Sequence, residues 1–311
     1  WSRRPLHRCN LSGNWPRKKK WNYWAITSPQ GLFSVTLSNI DYAGLAFAYF
    51  CNFVDKLFIE KTIIMPLGKG CVMPEEVAAD VRFDHPGMRF AINYIPDGVS
   101  IKFFCPDLMG LKTEAEVAIC VPPGHETLNV VIPWSQSQFQ FTSKQNTLPA
   151  TGVMTVGGDR FTFDGASSFA CLDFGRGIWP YSSSWNWASF SGRQGDDVIG
   201  VNLGAKWTDG TGMNENGVCL NGRLHKISED MSFEYDPKNF KKPWRLRTRA
   251  SDRIDLTFTP FYERVSKSNM LVVRSEVHQC FGVYTGTLRI DGREIEVISH
   301  AGWAEEHIAK W

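Results

Sequence analysis

Several common signals are missing from this sequence, and each absence removes a class of function. The chain of 311 residues has no P-loop, no GxGxxG and no GxSxG, which excludes the usual nucleotide-binding and serine-hydrolase readings. None of its eight cysteines forms a CxxC pair, so the closely spaced ligands of a structural zinc site are lacking. The cysteines are scattered at 9, 51, 71, 105, 120, 171, 219 and 280, mostly in apolar runs, and are expected to be buried free thiols of a reducing, cytoplasmic compartment. Long apolar runs are also missing. The longest, Ala43 to Phe50, is under half of the ~20 residues a membrane-spanning helix needs, so stable membrane insertion is not expected. Charge of one sign is not in excess, with 34 Lys+Arg against 32 Asp+Glu, which gives no reason to expect nucleic acid as a partner. The local exception is Arg17-Lys18-Lys19-Lys20, read as a solvated segment leading into a strand. No leader is visible, and a chain opening on Trp1 without methionine is read as trimmed.

What is present is dense in hairpin signals. Asp291-Gly292 sits between alternating segments, and a two-residue turn there sets Ile290 opposite Arg293, Arg289 opposite Glu294 and Leu288 opposite Ile295. Asn221-Gly222, Gly157-Gly158 and Pro96-Asp97-Gly98 repeat the pattern. Helical patterns are few: MPEEVAADV from Met73 fits a short helix, and Trp303, His307 and Trp311 at i, i+4, i+8 fit one helical face, with a strand as the alternative. Alternating segments spaced about ten residues apart imply an all-β protein of two antiparallel barrel or sandwich-like lobes packed together. The weakest hydrophobic stretch, Ser143 to Gly152, places the boundary between lobes 1–148 and 149–311.

The stretch DFGRGIWPYSSSWNWASFSG, Asp173 to Gly192, carries the densest aromatic content near polar groups. Alternation puts Phe169, Cys171 and Asp173 on one side and Ala170, Leu172 and Phe174 on the other. Past a turn over Gly175 to Tyr181, Trp185, Trp187 and Ser189 share a side, and the next strand separates Ile199, Val201 and Leu203 from Asn202. One greasy face and one aromatic face with isolated polar groups suit the lining of a ligand cavity, or equally a two-sided core. Asp173-Phe174-Gly175 spells the kinase metal triplet without the rest of that fold, and Asp209 to Gly217 lacks calcium-loop spacing, so neither a cofactor nor a metal is expected. The acid/base candidates are Asp173, Glu215, His278, Glu305 and His307. Arg176, Trp179, Tyr181, Trp185, Trp187, Trp244 and Trp303 are candidates for the ligand wall, with Asn202 and Asn216 as polar orienters.

The ordered motifs WSRRPLHRCN, KKWNYWAI, SNIDYAGLAF, VVIPWSQSQFQFTSK, LDFGRGIWPYSSSWNWASFSG, VIGVNLG, NENGVCLNGRLHKI, KKPWRLRT, IDLTFTPFYER, HQCFGVYTG and GWAEEHIAKW resemble the domain of unknown function 2804 family from end to end. The D…W-x-W arrangement over the central third is more distantly similar to double lipocalin-like proteins that include carotenoid hydratase and Diels-Alder-type cyclases. That resemblance implies two β-barrel lobes, a cavity for an apolar or amphipathic small molecule, and cofactor-independent hydration, isomerisation or cyclisation. A carbohydrate-binding or carbohydrate-processing protein with stacked tryptophans and a carboxylate pair is one alternative. A non-catalytic carrier, with Asp173 held in a salt bridge, is another. The oligomeric state is left open.

Overall fold

A computed structural model describes residue 11, residues 13–270 and residues 273–311. The first sequence motif and Cys9 lie outside the described residues. Among the described residues there is no α-helix, and the chain divides into two units. Unit 1 comprises residues 1–125 and Phe139–Trp179; unit 2 comprises Glu126–Gln138 and Pro180–Trp311.

Strands β1 (Lys18–Thr27), β2 (Gly31–Asn39), β3 (Ala43–Asn52), β4 (Phe58–Pro66), β5 (Val81–His85), β6 (Met88–Ile95), β7 (Gly98–Leu108) and β8 (Leu111–Cys120) belong to unit 1. After β9 (Leu128–Pro133), in unit 2, the long strands β10 (Phe139–Val156) and β11 (Asp159–Ile178) return to it. The strand order in unit 1 is β4-β3-β2-β1-β11-β10-β8-β7-β6-β5, every pairing antiparallel. The sheet curls strongly: Phe33 of β2 and Phe103 of β7, far apart in this order, meet edge to face with ring centroids 5.2 Å apart. Its inner face carries the core, including Trp24, Leu37, Phe90, Ile92, Phe141, Leu172 and Phe174.

Unit 2 continues with β12 (Ser182–Gln194), β13 (Asp197–Ala205), β14 (Gly217–Leu220), β15 (Arg223–Lys226), β16 (Met231–Glu234), β17 (Trp244–Thr248), β18 (Ile254–Met270), β19 (Val273–Ile290) and β20 (Arg293–Lys310). Their order is β15-β14-β13-β12-β20-β19-β18-β17-β16, and β16 comes back against β13. Ala188, Phe190, Ile199, Val201, Leu203, Trp244 and Tyr284 form the core of this unit.

The turn chemistry predicts the hairpins well. Ile290 pairs with Arg293, Arg289 with Glu294 and Leu288 with Ile295, while Leu220 pairs with Arg223, Val156 with Asp159 and Ile95 with Gly98. The predicted faces also hold, since Ala170, Leu172 and Phe174, like Ala188 and Phe190, lie in the cores.

Other expectations need correction. The segment from Met73 is loop, and the carbonyl of its Pro74 accepts two bonds from the Arg176 guanidinium at 3.0 and 2.8 Å. The C-terminal segment is β20, because a four-residue spacing is also a multiple of the two-residue strand period. The boundary expected at 148/149 falls inside β10, where ladders to β11 and β8 hold the polar stretch in place. Asp173 to Gly192 is not one hairpin. β11 pairs with β1 and β10, whereas β12 pairs with β13 and β20, so Asp173 belongs to unit 1 and Trp185 and Trp187 to unit 2. The basic run is not a solvated segment either: Lys19 is fully buried, donating to the Pro16 and Ile40 carbonyls at 3.1 and 3.2 Å. Burial, with Arg17 adding repulsion, pushes the Lys19 ammonium down to about 8. The described cysteines are thiols outside any disulfide, buried except for Cys120, which is exposed.

Candidate functional site

In unit 2 the face opposite the core is built by β13, β12, β20 and β19, and its side chains fall into rungs. Asn202, Ser189, Trp303 and Phe281 form one rung; Gly204, Trp187, Glu305 and Gln279 form the next; Trp185, His307 and Val277 form a third. Buried Glu305 accepts the Trp185 indole N–H on Oε1 and the Gln279 amide N–H on Oε2, each at 3.1 Å. The His307 ring packs on the same indole, with centroids 3.9 Å apart, and its Nε2 lies 2.8 Å from Ser275 Oγ. Burial, with Arg264 adding repulsion, pushes the imidazole down to about 3, so His307 is neutral near pH 7.

On the other flank of Trp187, its indole donates to Asn202 Oδ1 at 2.8 Å, and Asn202 Nδ2 donates to the Glu215 carbonyl at 2.7 Å. The Glu215 carboxylate accepts the Trp207 indole N–H at 3.0 Å. It lies over Gly204, where a Cβ would stand 2.3 Å from Glu215 Oε1; glycine is required by that close approach. Trp303 meets Trp187 nearly edge-on at 5.1 Å. This face therefore brings together Glu215, Glu305, His307, Trp185, Trp187, Trp303 and Asn202.

The remaining candidates stand elsewhere. Asn216 fastens the loop before β14, accepting the Gly204 N–H at 2.7 Å and donating to the Glu229 carbonyl at 3.2 Å. Trp244 and His278 are on the core side. Trp244 stacks on Tyr235 at 4.1 Å, and His278 stacks on Phe240 at 4.1 Å with Glu263 Oε1 2.7 Å from its Nδ1. Tyr181 is exposed.

Unit 1 has its own buried polar face. Asp173 there forms a 2.8 Å ion pair with Lys144, and the Thr142 hydroxyl donates to its other oxygen at 3.3 Å. Tyr23 and Tyr49 share a hydroxyl hydrogen bond of 2.7 Å, and Trp179 donates to Gln140 at 2.7 Å. Arg176 projects to the opposite, inner side, fully buried, with its guanidinium on the Phe174 ring and hydrogen-bonded to Trp21, Asn22 and Pro74.

Sequence reasoning missed Lys144, Gln279 and Ser275. Gln279 was accessible, because alternation within β19 separates it from the core-side Cys280; Lys144 needed the β10–β11 register, which bulges at Gln145/Leu148 and Pro149/Thr151 obscure. Asp209 to Asn216 is loop, as expected, and Gly217 opens β14.

Two antiparallel all-β units, each with an apolar interior and a separate buried polar face, define a lipocalin-like two-unit β protein. The chain belongs to the family described as Domain of unknown function (DUF2804), whose profile matches residues 1–311. The fold is similar to that of a candidate AttH protein of Nitrosomonas europaea, with TM-score 0.58 and 12% identity over 97% of this chain and 96% of that one. It is also similar to CghA crystallised with Sch210972 (TM-score 0.50, 11% identity, 98% and 94% covered). Kievitone hydratase from Nectria haematococca gives TM-score 0.50 and 12% identity, with 98% and 93% covered. No curated protein matches the sequence.

Proposed function

We propose that the chain binds an apolar or amphipathic small molecule on the aromatic face of unit 2 and transforms it by cofactor-independent proton transfer. The observation that carries this reading is the Glu305 carboxylate, buried among indoles and oriented by two N–H donors beside a neutral imidazole. Trp185, Trp187 and Trp303 offer π faces that hold apolar carbon and stabilise passing positive charge. With both oxygens receiving N–H bonds, Glu305 is set to take a proton from one carbon and return it to another, which isomerises or cyclises the substrate without net redox change. Related folds are compatible with such a role, one neighbour being named a hydratase and another holding a small molecule.

A carrier without turnover is the second reading, favoured by Asp173 being tied to Lys144. Incubating the protein with a solvent extract of its source cells and following the extract by mass spectrometry separates the two. Under the catalytic reading the wild type converts one species to an isomer or hydrate, and Glu305→Gln binds that species without converting it. Binding without any conversion by the wild type would leave the carrier reading.

A further inference from the structure

The outer face of unit 1 carries an open cleft of about 810 Å³ that crosses β5, β6, β7, β8, β10 and β11. Two rungs line it. Arg82, Ala91, Lys102, Glu116 and Val153 stand side by side in one, and Asp84, Arg89, Phe104, Glu114, Thr155 and Arg160 in the other. Alternation explains charged side chains on an outward sheet face, but not how these are distributed. Ala91, Phe104, Val153 and Thr155 are only partly exposed and form a floor, and the exposed charges stand around it. A small floor of this kind inside a polar rim is the anatomy of a recognition surface.

The carboxylates of the cleft already have partners. Asp84, directly across from Arg89, pairs instead with Arg82 at 3.8 Å, while Glu116 pairs with Lys102 at 3.2 Å and Glu114 with Lys112 at 3.0 Å. Two cations are left over: among the described residues neither Arg89 nor Arg160 makes an ion pair. The Arg89 guanidinium lies over the Phe104 ring at 4.3 Å, a stack that fixes its plane and leaves its N–H edge for a carboxylate. Arg160 stands four strands further along the same rung, about 19 Å away at the ordinary strand spacing.

That separation selects the occupant. A single small dianion does not span it, whereas an extended chain advancing ~3.3 Å per residue covers it in about six residues, and residues six apart in such a chain project on the same side. Glu114 and Glu116, between the two arginines, repel a continuous polyanion such as nucleic acid, but a peptide need place no charge over them. We propose that this cleft docks an extended peptide segment with two acidic side chains about six residues apart, received by Arg89 and Arg160, and an apolar side chain between them on Phe104. The cleft shares no residue with the aromatic face of unit 2.

Fluorescence anisotropy of a labelled, end-blocked peptide, Glu-Ser-Leu-Ser-Thr-Ser-Glu, titrated with the whole protein tests the proposal. Saturable binding is expected, about 10-fold tighter than for the same peptide with Gln at both ends, which is the scale of two exposed ion pairs. The difference should shrink as salt is raised. Moving the second glutamate to the fourth position turns it to the opposite side of the extended chain and should lose most of the gain. Arg89→Gln and Arg160→Gln should each weaken the Glu peptide ~3-fold and leave the Gln peptide unchanged; both positions are exposed, so folding is not at stake. Arg160→Glu should come to prefer a peptide with Lys in place of the last Glu, and Glu305→Gln should bind as the wild type does. No saturable binding, equal binding of the Glu and Gln peptides, indifference to both arginine substitutions, or tighter binding of a short oligouridylate would overturn the site.

Discussion

Lys144 and Asp173 face each other across β10 and β11 as a 2.8 Å ion pair, both side chains nearly removed from solvent. Breaking one side of such a pair strands the other charge. Asp173→Asn is therefore expected to destabilise the protein by about 3 kcal/mol, read as a lower urea midpoint. The double variant Lys144→Met/Asp173→Leu should recover most of that loss, because two apolar side chains need no hydration. A neutral Asp173→Asn would mean that the pair is not buried as described.

Gly175, the glycine of the coincidental kinase triplet, has a packing reason of its own. A Cβ there would stand 2.1 Å from the Trp21 ring and 2.5 Å from Gln140 Nε2. Gly175→Ala must displace an indole that packs against Trp179, and a loss of about 2 kcal/mol or more is expected, measured by thermal unfolding. Gly158→Ala, which meets nothing within 4 Å, is the control and should stay within ~0.5 kcal/mol of wild type.

How far the sequence could be read follows from the range of the interactions involved. The Asp291-Gly292 turn and its Leu288–Ile295 and Arg289–Glu294 pairs are local, and residue choice alone specifies them. Alternation likewise gave the faces of Ala188 and Phe190, because strand period is a property of the chain. The Met73 segment is different. What holds it is the bond from Arg176, 102 residues away, and no local pattern reports that. At β20 the spacing of Trp303, His307 and Trp311 fits both periods, and only the strand reading puts Glu305 beside Trp303 and His307. The partner Lys144 emerges only from the β10–β11 register, which two bulges in β10 shift beyond the reach of sequence counting, whereas alternation within β19 already sets Gln279 apart from Cys280.

His307 links the aromatic face to pH. Its imidazole stays neutral in the folded protein down to about 3, whereas the unfolded chain takes up that proton near the ordinary value of 6.5. Between those values the unfolded state binds more protons, so stability is full above 6.5 and falls as pH drops toward 3, by at most ~1.4 kcal/mol per pH unit from this group. His300, also pushed down by burial, acts in the same direction. His307→Gln should flatten the decline of the unfolding temperature between pH 6.5 and 4. A slope identical to wild type would show that His307 is not desolvated.

The claim that unit 2 presents an aromatic small-molecule site is tested most directly by what the purified protein carries. Wild type and the double variant Trp185→Ala/Trp303→Ala, purified in parallel, are denatured in organic solvent and the extracts compared by mass spectrometry. The proposed site predicts an apolar or amphipathic compound enriched with the wild type and absent from the variant. Extracts that do not differ, or a difference confined to sugars, would contradict it.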